Sequence, residues 1–450
     1  MRHLPPREAN GESVHHPPAV VVASDDTLAV ALPLVPHVMR FTRFALVAVL
    51  AAACTRTVAT APTPAAPPRL VAVDSLVAAP PIAVGLDPEL PARLDSIVRV
   101  GLEQGAAPGA ALAVGRFGRL VLLKGYGTTD YAAGAPAVDA STIYDMASLT
   151  KVVATTTAAM ILEEEGKLDI SRTVQSYLPE FSAPDKAAIT VRMLLTHRGG
   201  LEAFAPLWKE SHGRAEYLAQ INARPLANPP GTKVVYSDWD FVLMGMIVER
   251  ITGTTLDAFT AERVFGPLGM SSTRFTPDTT NAALMRRITY TALDTLRGQL
   301  HGTVHDPNAW ALGGVSGHAG LFSTARDLAV FVQMLMNGGS YASVRIVKPT
   351  TVARWTSSQD LGSSRALGWD TPSAVSSAGK YFSPRSFGHT GYTGTSIWVD
   401  PERGLFVVLL TNRVNSRGEA TRHTQLRRDV ADAVQSAIRD APLVDWEVRR

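Results

Sequence analysis

The apolar residues of this 450-residue chain change their period along its length, and the changes mark out its elements. From about Pro91 to Gln104, Leu94, Ile97 and Val98 are spaced as one face of a helix. Two strands follow, Ala110 to Val114 and Arg119 to Tyr126, and then a long helix-rich middle from Ser148 to about Phe275. Ser386 to Asp400 alternates toward Ile397-Trp398-Val399, turns at Asp400-Pro401-Glu402-Arg403-Gly404 and continues as the apolar run Leu405 to Leu410. It predicts an antiparallel hairpin within return strands at 385–412. Leu328, Phe331 and Leu335 form a core stripe, and Leu426, Val430, Val434 and Ile438, at intervals of four, predict a closing helix that packs on the sheet.

The amino terminus follows other rules. Residues 40–53 join a positively charged start to an apolar stretch of about ten residues from Phe44, too short to span a bilayer. They end at Cys54, the only cysteine, so no intramolecular disulfide is possible. The arrangement resembles a bacterial lipoprotein signal with Ala51-Ala52-Ala53 as an imperfect lipobox, and acylation at Cys54 would anchor the protein on the outer side of a membrane. The alternative is cleavage after Ala-x-Ala and release of a soluble secreted protein. Met39 directly precedes Arg40 and reads as the true start. Residues 1–38 are then a non-functional upstream extension, 39–53 the signal, 54–87 an Ala/Pro/Thr-rich tether, 88–440 the folded domain and 441–450 a tail.

Composition narrows the class. With 46% hydrophobic and 18% charged residues, the chain is long enough for a large core or two lobes. The net charge of +3 is spread without long basic runs, which leaves nucleic-acid binding unsupported, and no repeat at a fixed period argues for a solenoid or propeller.

Candidate chemistry centres on Ser148-Leu149-Thr150-Lys151 at the start of a predicted helix. Positions i and i+3 share a face, so Lys151 reaches the Ser148 hydroxyl across one turn, and the helix start supplies free N–H groups. This activates a serine without histidine. Ser377-Ala378-Gly379-Lys380 has the same spacing, but Gly379 and Pro384 leave it a loop. Two further motifs follow. Tyr236-Ser237-Asp238 lies between the turn Asn228-Pro229-Pro230-Gly231 and the helical run Phe241 to Val248, where the phenol can point into a cleft. His389-Thr390-Gly391 lies on the first return strand, with His389 and Thr390 as side-chain donors and Gly391 leaving substrate room at the strand edge.

In this order the three motifs resemble those of the serine β-lactamase and penicillin-binding-protein superfamily, particularly its class C β-lactamase, DD-peptidase and esterase branch. The resemblance covers roughly residues 88 to 440. It includes Met193 to Leu201 and Gly313 to Ala325; with His305 to Ala309, the second stretch is similar to a subgroup containing a low-molecular-weight penicillin-binding protein described as a DD-carboxypeptidase. The resemblance implies an α/β fold, an antiparallel sheet flanked by helices with an inserted all-helical lobe and the active site between them. It implies that Ser148 is the nucleophile, that Lys151 and Tyr236 share proton transfer, and that the N–H groups of Ser148 and Tyr392 form the oxyanion hole. It implies neither cofactor nor metal. Either a neutral Lys151 or a Tyr236 phenolate is the base, and the two titrate as a pair.

Two positions depart from the commonest pattern. Asp238 stands where the branch often has asparagine, and His389 where many members carry lysine. Asp238 reads either as a helix cap or as a substrate-facing charge that opposes a carboxylate, while His389 carries only partial charge at neutral pH. Small neutral esters are therefore expected to turn over faster than carboxylated β-lactams. Ser148 as a plain helix cap, Tyr236 as a structural tyrosine, and His197, His305 and His318 as turn residues are the alternative readings. The expected function is hydrolysis through an acyl-enzyme on Ser148, of D-Ala-D-Ala peptides, esters or β-lactams. The alternative is a penicillin-binding sensor or cell-wall scaffold that acylates without turnover.

Overall fold

The structure, a computed structural model, describes residues 75–360, 362–415 and 422–446. The signal segment, Cys54 and most of the tether lie outside the described residues. Among them, no helix is long and apolar enough to cross a membrane.

One six-stranded sheet organises the domain. Its strands are β1 (Val77–Ala78), β2 (Gly109–Arg116), β3 (Arg119–Gly127), β4 (Phe387–Thr390), β5 (Ser396–Asp400) and β6 (Leu405–Thr411), in the spatial order β1-β3-β2-β6-β5-β4. Every pairing is antiparallel except β1 on β3. The predicted hairpin is present, with Ser396 opposite Leu409 and Asp400 opposite Leu405. Leu405 to Leu410 is continuously apolar because both faces of the sheet are covered. Phe406, Val408 and Leu410 enter one core with the inserted lobe, while Leu405, Val407 and Leu409 enter a second core under helices α1 (Leu90–Glu103) and α5 (Arg422–Ser436). Val430 and Val434 of α5 are fully buried there.

The insertion between β3 and β4 carries α2 (Thr157–Glu164), α3 (Asp238–Thr252) and α4 (Ala325–Met336), whose Leu328 and Phe331 are fully buried. It is mostly helical rather than wholly so. Tyr144–Asp145 and Arg274–Phe275 pair with Leu321–Ser323, and Tyr290–Asp294 forms a hairpin with Gly298–His301. Strands of two or three residues are too short to show a period of two.

The folded body also begins before residue 88. Val77 and Ala78 pair with Arg119 and Leu120, Leu86 is fully buried, and the buried Arg116 donates to the Val84 carbonyl at 2.7 Å. Proline-rich composition concealed this stretch, since its order comes from a distant sheet edge rather than from its own pattern.

Candidate active site

Ser148 lies one residue before the first helical residue, Leu149, and its carbonyl accepts the Lys151 N–H at 3.0 Å. The turn is unusual at Ala147, whose φ of 44° is left-handed, a conformation costing a non-glycine residue about 1 kcal/mol or more. The Asp145 carboxylate accepts the Ala147 N–H at 2.8 Å and the His305 N–H at 2.6 Å. Beyond the turn the chain makes a π-helical turn, Lys151–Thr156, before α2, and every residue of that turn is buried.

Lys151 reaches Ser148 as the spacing predicts, its Nζ donating to Ser148 Oγ at 3.0 Å. It also donates to Asp238 Oδ1 at 2.8 Å and to the His318 carbonyl at 3.2 Å, so all three protons of an ammonium are engaged. Burial alone would drive the proton off, but the Asp238 carboxylate and the adjacent Tyr236 outweigh it and hold Lys151 above the usual lysine range. The neutral lysine weighed from the motif is therefore not the resting form.

Asp238 accordingly takes neither role the sequence suggested. Ser237 is the cap of α3, accepting the Trp239 N–H at 3.2 Å, and frees Asp238 to pair with Lys151. Its charge is spent on the ammonium instead of repelling substrate. Tyr236 packs beside this pair, with the Lys151 Nζ 4.9 Å from its ring centroid. Behind it sits His197, ring to ring at 4.5 Å, buried with Asp240. His197 Nδ1 receives the Ser237 N–H at 3.3 Å and lies 2.9 Å from Asp240 Oδ2. Burial holds His197 well below and Asp240 well above their ordinary values.

His389 departs most from its expected behaviour. Burial, with Arg365 and Lys151 nearby, pushes its pKa down to about 3, so it is an uncharged imidazole at neutral pH. Its Nδ1 lies 2.8 Å from the Thr390 carbonyl, which can only accept; Nδ1 therefore carries the proton, and the buried Nε2 offers a lone pair without a protein partner among the described residues. It is an acceptor rather than the donor expected.

Gly391 is required, though for a different reason. A Cβ there would collide with Thr395 Oγ1 and the Met146 carbonyl, so its room is taken by the protein, which draws the strand end against the nucleophile turn. Thr395 Oγ1 donates to the Met146 carbonyl at 3.0 Å and Thr393 Oγ1 to the Asp145 carbonyl at 2.7 Å. Ser148 and Tyr392 line the same cavity, and neither backbone N–H has a protein acceptor among the described residues. The Tyr392 ring is exposed, stacked 5.6 Å from His305. Ser377, by contrast, sits in a loop and accepts the Trp398 indole N–H, as befits a structural serine.

Ser148, Tyr236, His389, Thr390, Gly391 and Tyr392 line one cavity of about 340 Å³, and Arg365, Arg413 and Arg427, with one carboxylate, Asp370, line it with them. Sequence reasoning missed these arginines, which sit in no motif. Arg427 donates to the Gly391 and Thr395 carbonyls at 2.8 and 2.6 Å, and burial lowers its pKa to about 9. Arg413 braces the Tyr392 carbonyl. Arg365 lies over the Tyr236 ring at 5.3 Å and meets Asp370 only at 3.9 Å, the freest of the three guanidinium groups. The positive charge of the lining is thus carried by arginine, not by His389. Asp238, Asp306 and His318 bring ligand atoms within 4.8 Å of one another, but Asp238 is paired with the Lys151 ammonium, and Asp306 Oδ1 lies 2.9 Å from His318 Nε2 and accepts the Ala309 N–H.

Known proteins share this architecture. The chain is 36% identical over 306 residues to an Escherichia coli (strain K12) protein provisionally named a D-alanyl-D-alanine carboxypeptidase, covering 61% of this chain and 70% of that one. A Salmonella agona (strain SL483) protein of the same name is 33% identical over 372 residues, 74% of this chain and 84% of that one. Among solved structures, a penicillin-binding protein homologue from Caulobacter crescentus superposes with a TM-score of 0.63 at 22% identity, covering 78% of this chain and 99% of that one. The beta-lactamase family matches residues 94–432, where the serine, the lysine, the tyrosine and the strand edge described above all lie, and the chain belongs to that family of serine hydrolases.

Proposed function

We propose that this chain is a D-Ala-D-Ala carboxypeptidase, with Ser148 acylated by the penultimate residue of a peptidoglycan peptide and D-alanine leaving. The observation that carries the substrate class is the guanidinium lining of the cavity beside Ser148, together with the neutrality of His389 and the compensation of Asp238. A substrate ending in a free carboxylate meets Arg365, whose own ion pair with Asp370 is long at 3.9 Å, in a lining where three arginines face that single carboxylate. This reverses the preference for neutral esters drawn from His389 and Asp238. The name carried by the Escherichia coli and Salmonella relatives supports the same substrate.

In the proposed reaction Tyr236 acts as its phenolate, and the Ser148 hydroxyl passes its proton to the Tyr236 oxygen as it attacks the carbonyl. The Lys151 ammonium stabilises the negative charge that Tyr236 and the serine share, and the Ser148 and Tyr392 N–H groups hold the oxyanion. Tyr236 then protonates the departing amine, and water releases the acyl group. Turnover separates this reading from the sensor alternative, which the hydrolase names of the relatives do not favour. A peptide ending in D-Ala-D-Ala, the same peptide as its C-terminal amide, nitrocefin and a p-nitrophenyl ester form the test panel. The free acid is expected to turn over many times and faster than the amide; equal rates for acid and amide would overturn the assignment.

The amino terminus suggests the setting. The signal-like segment supports a lipid anchor on Cys54 and a place in the cell envelope. Cys54→Ser should move the protein from the membrane fraction to the soluble one, and an unchanged distribution would exclude the anchor.

A further inference from the structure

Three parts of the site meet at one side chain that takes no part in the proposed chemistry. Asp145 is buried on a two-residue strand, and its carboxylate accepts the Ala147 N–H through one oxygen and the His305 N–H through the other. Its own carbonyl accepts the Thr393 hydroxyl, one residue beyond Tyr392, the oxyanion donor of the proposed reaction. His305 in turn stacks on the Tyr392 ring. The nucleophile turn, the strand-end loop and the loop before residues 307–311 are therefore fastened to one another through Asp145. Ala147 makes the fastening matter: it holds a left-handed φ of 44° directly before Ser148, a conformation that glycine accepts freely and alanine does not.

We propose that the Asp145 carboxylate is a positioning group for acylation, holding Ala147 in its left-handed turn so that the Ser148 hydroxyl and N–H face the cavity together with the Tyr392 N–H. The ionised form is the one that works. It accepts an N–H donor strongly at each oxygen, whereas a protonated acid accepts only weakly at its hydroxyl oxygen and must also place an O–H donor. Burial pushes Asp145 up to about 6; the His305 and Ala147 N–H groups oppose that rise, Asp306 adds to it and Arg297 opposes it. These are the titratable and charged groups that face it, from its own turn, from the 302–306 loop and from the hairpin. Because the folded value lies above the unfolded one, the ionised carboxylate lowers stability as pH rises through about 6. Stability and acylation should therefore move in opposite directions with pH at this position, which a purely structural residue would not produce.

The inference rests on Ser148 being the acylated residue, and single-turnover labelling by a fluorescent penicillin from pH 4.5 to 8 tests the two separately. In the wild type the rate should fall as pH drops through about 6. Asp145→Asn should be slower by roughly tenfold or more at pH 7.5, with little change in the penicillin concentration giving half-maximal rate, and should lose the acid limb that Asp145 contributes. Its melting temperature relative to wild type should improve as pH rises from 4.5 to 7.5. Adding Ala147→Gly, which adopts the turn unaided, should restore several-fold of the lost rate. If Asp145→Asn does not fold, Ala147→Gly alone decides, since it should flatten the acid limb in the wild-type background. Wild-type rates in Asp145→Asn, an unchanged acid limb in either variant, or no rescue by Ala147→Gly would overturn the role of Asp145. No label on Ser148 in the wild type would instead overturn the acyl-enzyme reading itself.

Discussion

The two sides of the cavity are built on opposite electrostatic terms. On the nucleophile side every charge has a partner: Lys151 is fully buried and divides its protons among Ser148, Asp238 and the His318 carbonyl. On the far side Arg365 meets its nearest recorded carboxylate only at 3.9 Å, and Arg413 is spent on a carbonyl and a ring face. Closely compensated charges hold a geometry; a loosely paired one, like Arg365 beside Asp370, is open to a ligand. The first side performs the bond chemistry, and the second selects what is brought to it.

Ser148→Ala should cut the comparison at its root, abolishing labelling by a fluorophosphonate or penicillin, and mass mapping should place the wild-type adduct on Ser148 alone. An adduct at Ser377 would move the nucleophile into a loop that the structure gives no means of activation. Lys151→Ala and Tyr236→Phe should each slow acylation by roughly 10²- to 10⁴-fold, the range for a lost proton-transfer group. These losses should fall equally on acidic and neutral substrates, because both residues lie on the bond-making side. Near-normal single-turnover rates in Tyr236→Phe would leave the proton route to Lys151.

Arg365→Ala should separate the sides. Loss of a hydrogen bond to a charged partner is worth about 1.5–3 kcal/mol, so KM for a carboxylate-ended peptide should rise roughly ten- to a hundredfold while a p-nitrophenyl ester is unaffected. Equal losses on both substrates would make Arg365 a brace for Tyr236 instead. The smallest effect belongs to His389. With a folded value near 3 against about 6.5 when unfolded, it binds fewer protons folded than unfolded across that interval. Its contribution to stability is present above about 6.5 and is lost as pH falls toward 3. His389→Gln should therefore flatten the acid decline of melting temperature, by at most one proton's slope of about 1.4 kcal/mol per pH unit, and leave the neutral-pH ester rate nearly unchanged.

Legibility followed the range of the interactions. Ser148 and Lys151 are three residues apart, so helix geometry alone placed them within 3.0 Å. The β5–β6 hairpin and the α5 stripe were readable because their apolar periods are local. Asp238 was misjudged because its partner lies 87 positions away and the cap was the neighbouring Ser237. The state of His389 depends on burial and on Arg365 and Lys151, none of which a local pattern records. Arg365 stands in a Gly/Ser-rich loop that carries no period, and only the closed cavity gives it meaning.

The pairing of β2 with β6, which sets Ala110 opposite Thr411, also governs how the protein is made. A ribosome must finish almost the whole chain before the centre of the sheet can close, and until then β2 presents an open apolar edge. A product truncated before residue 405 would lack that strand as well as the helix that follows it. Such fragments would be aggregation-prone clients of chaperones and proteases rather than weakened enzymes, so nonsense alleles anywhere in the domain upstream of residue 405 should behave alike.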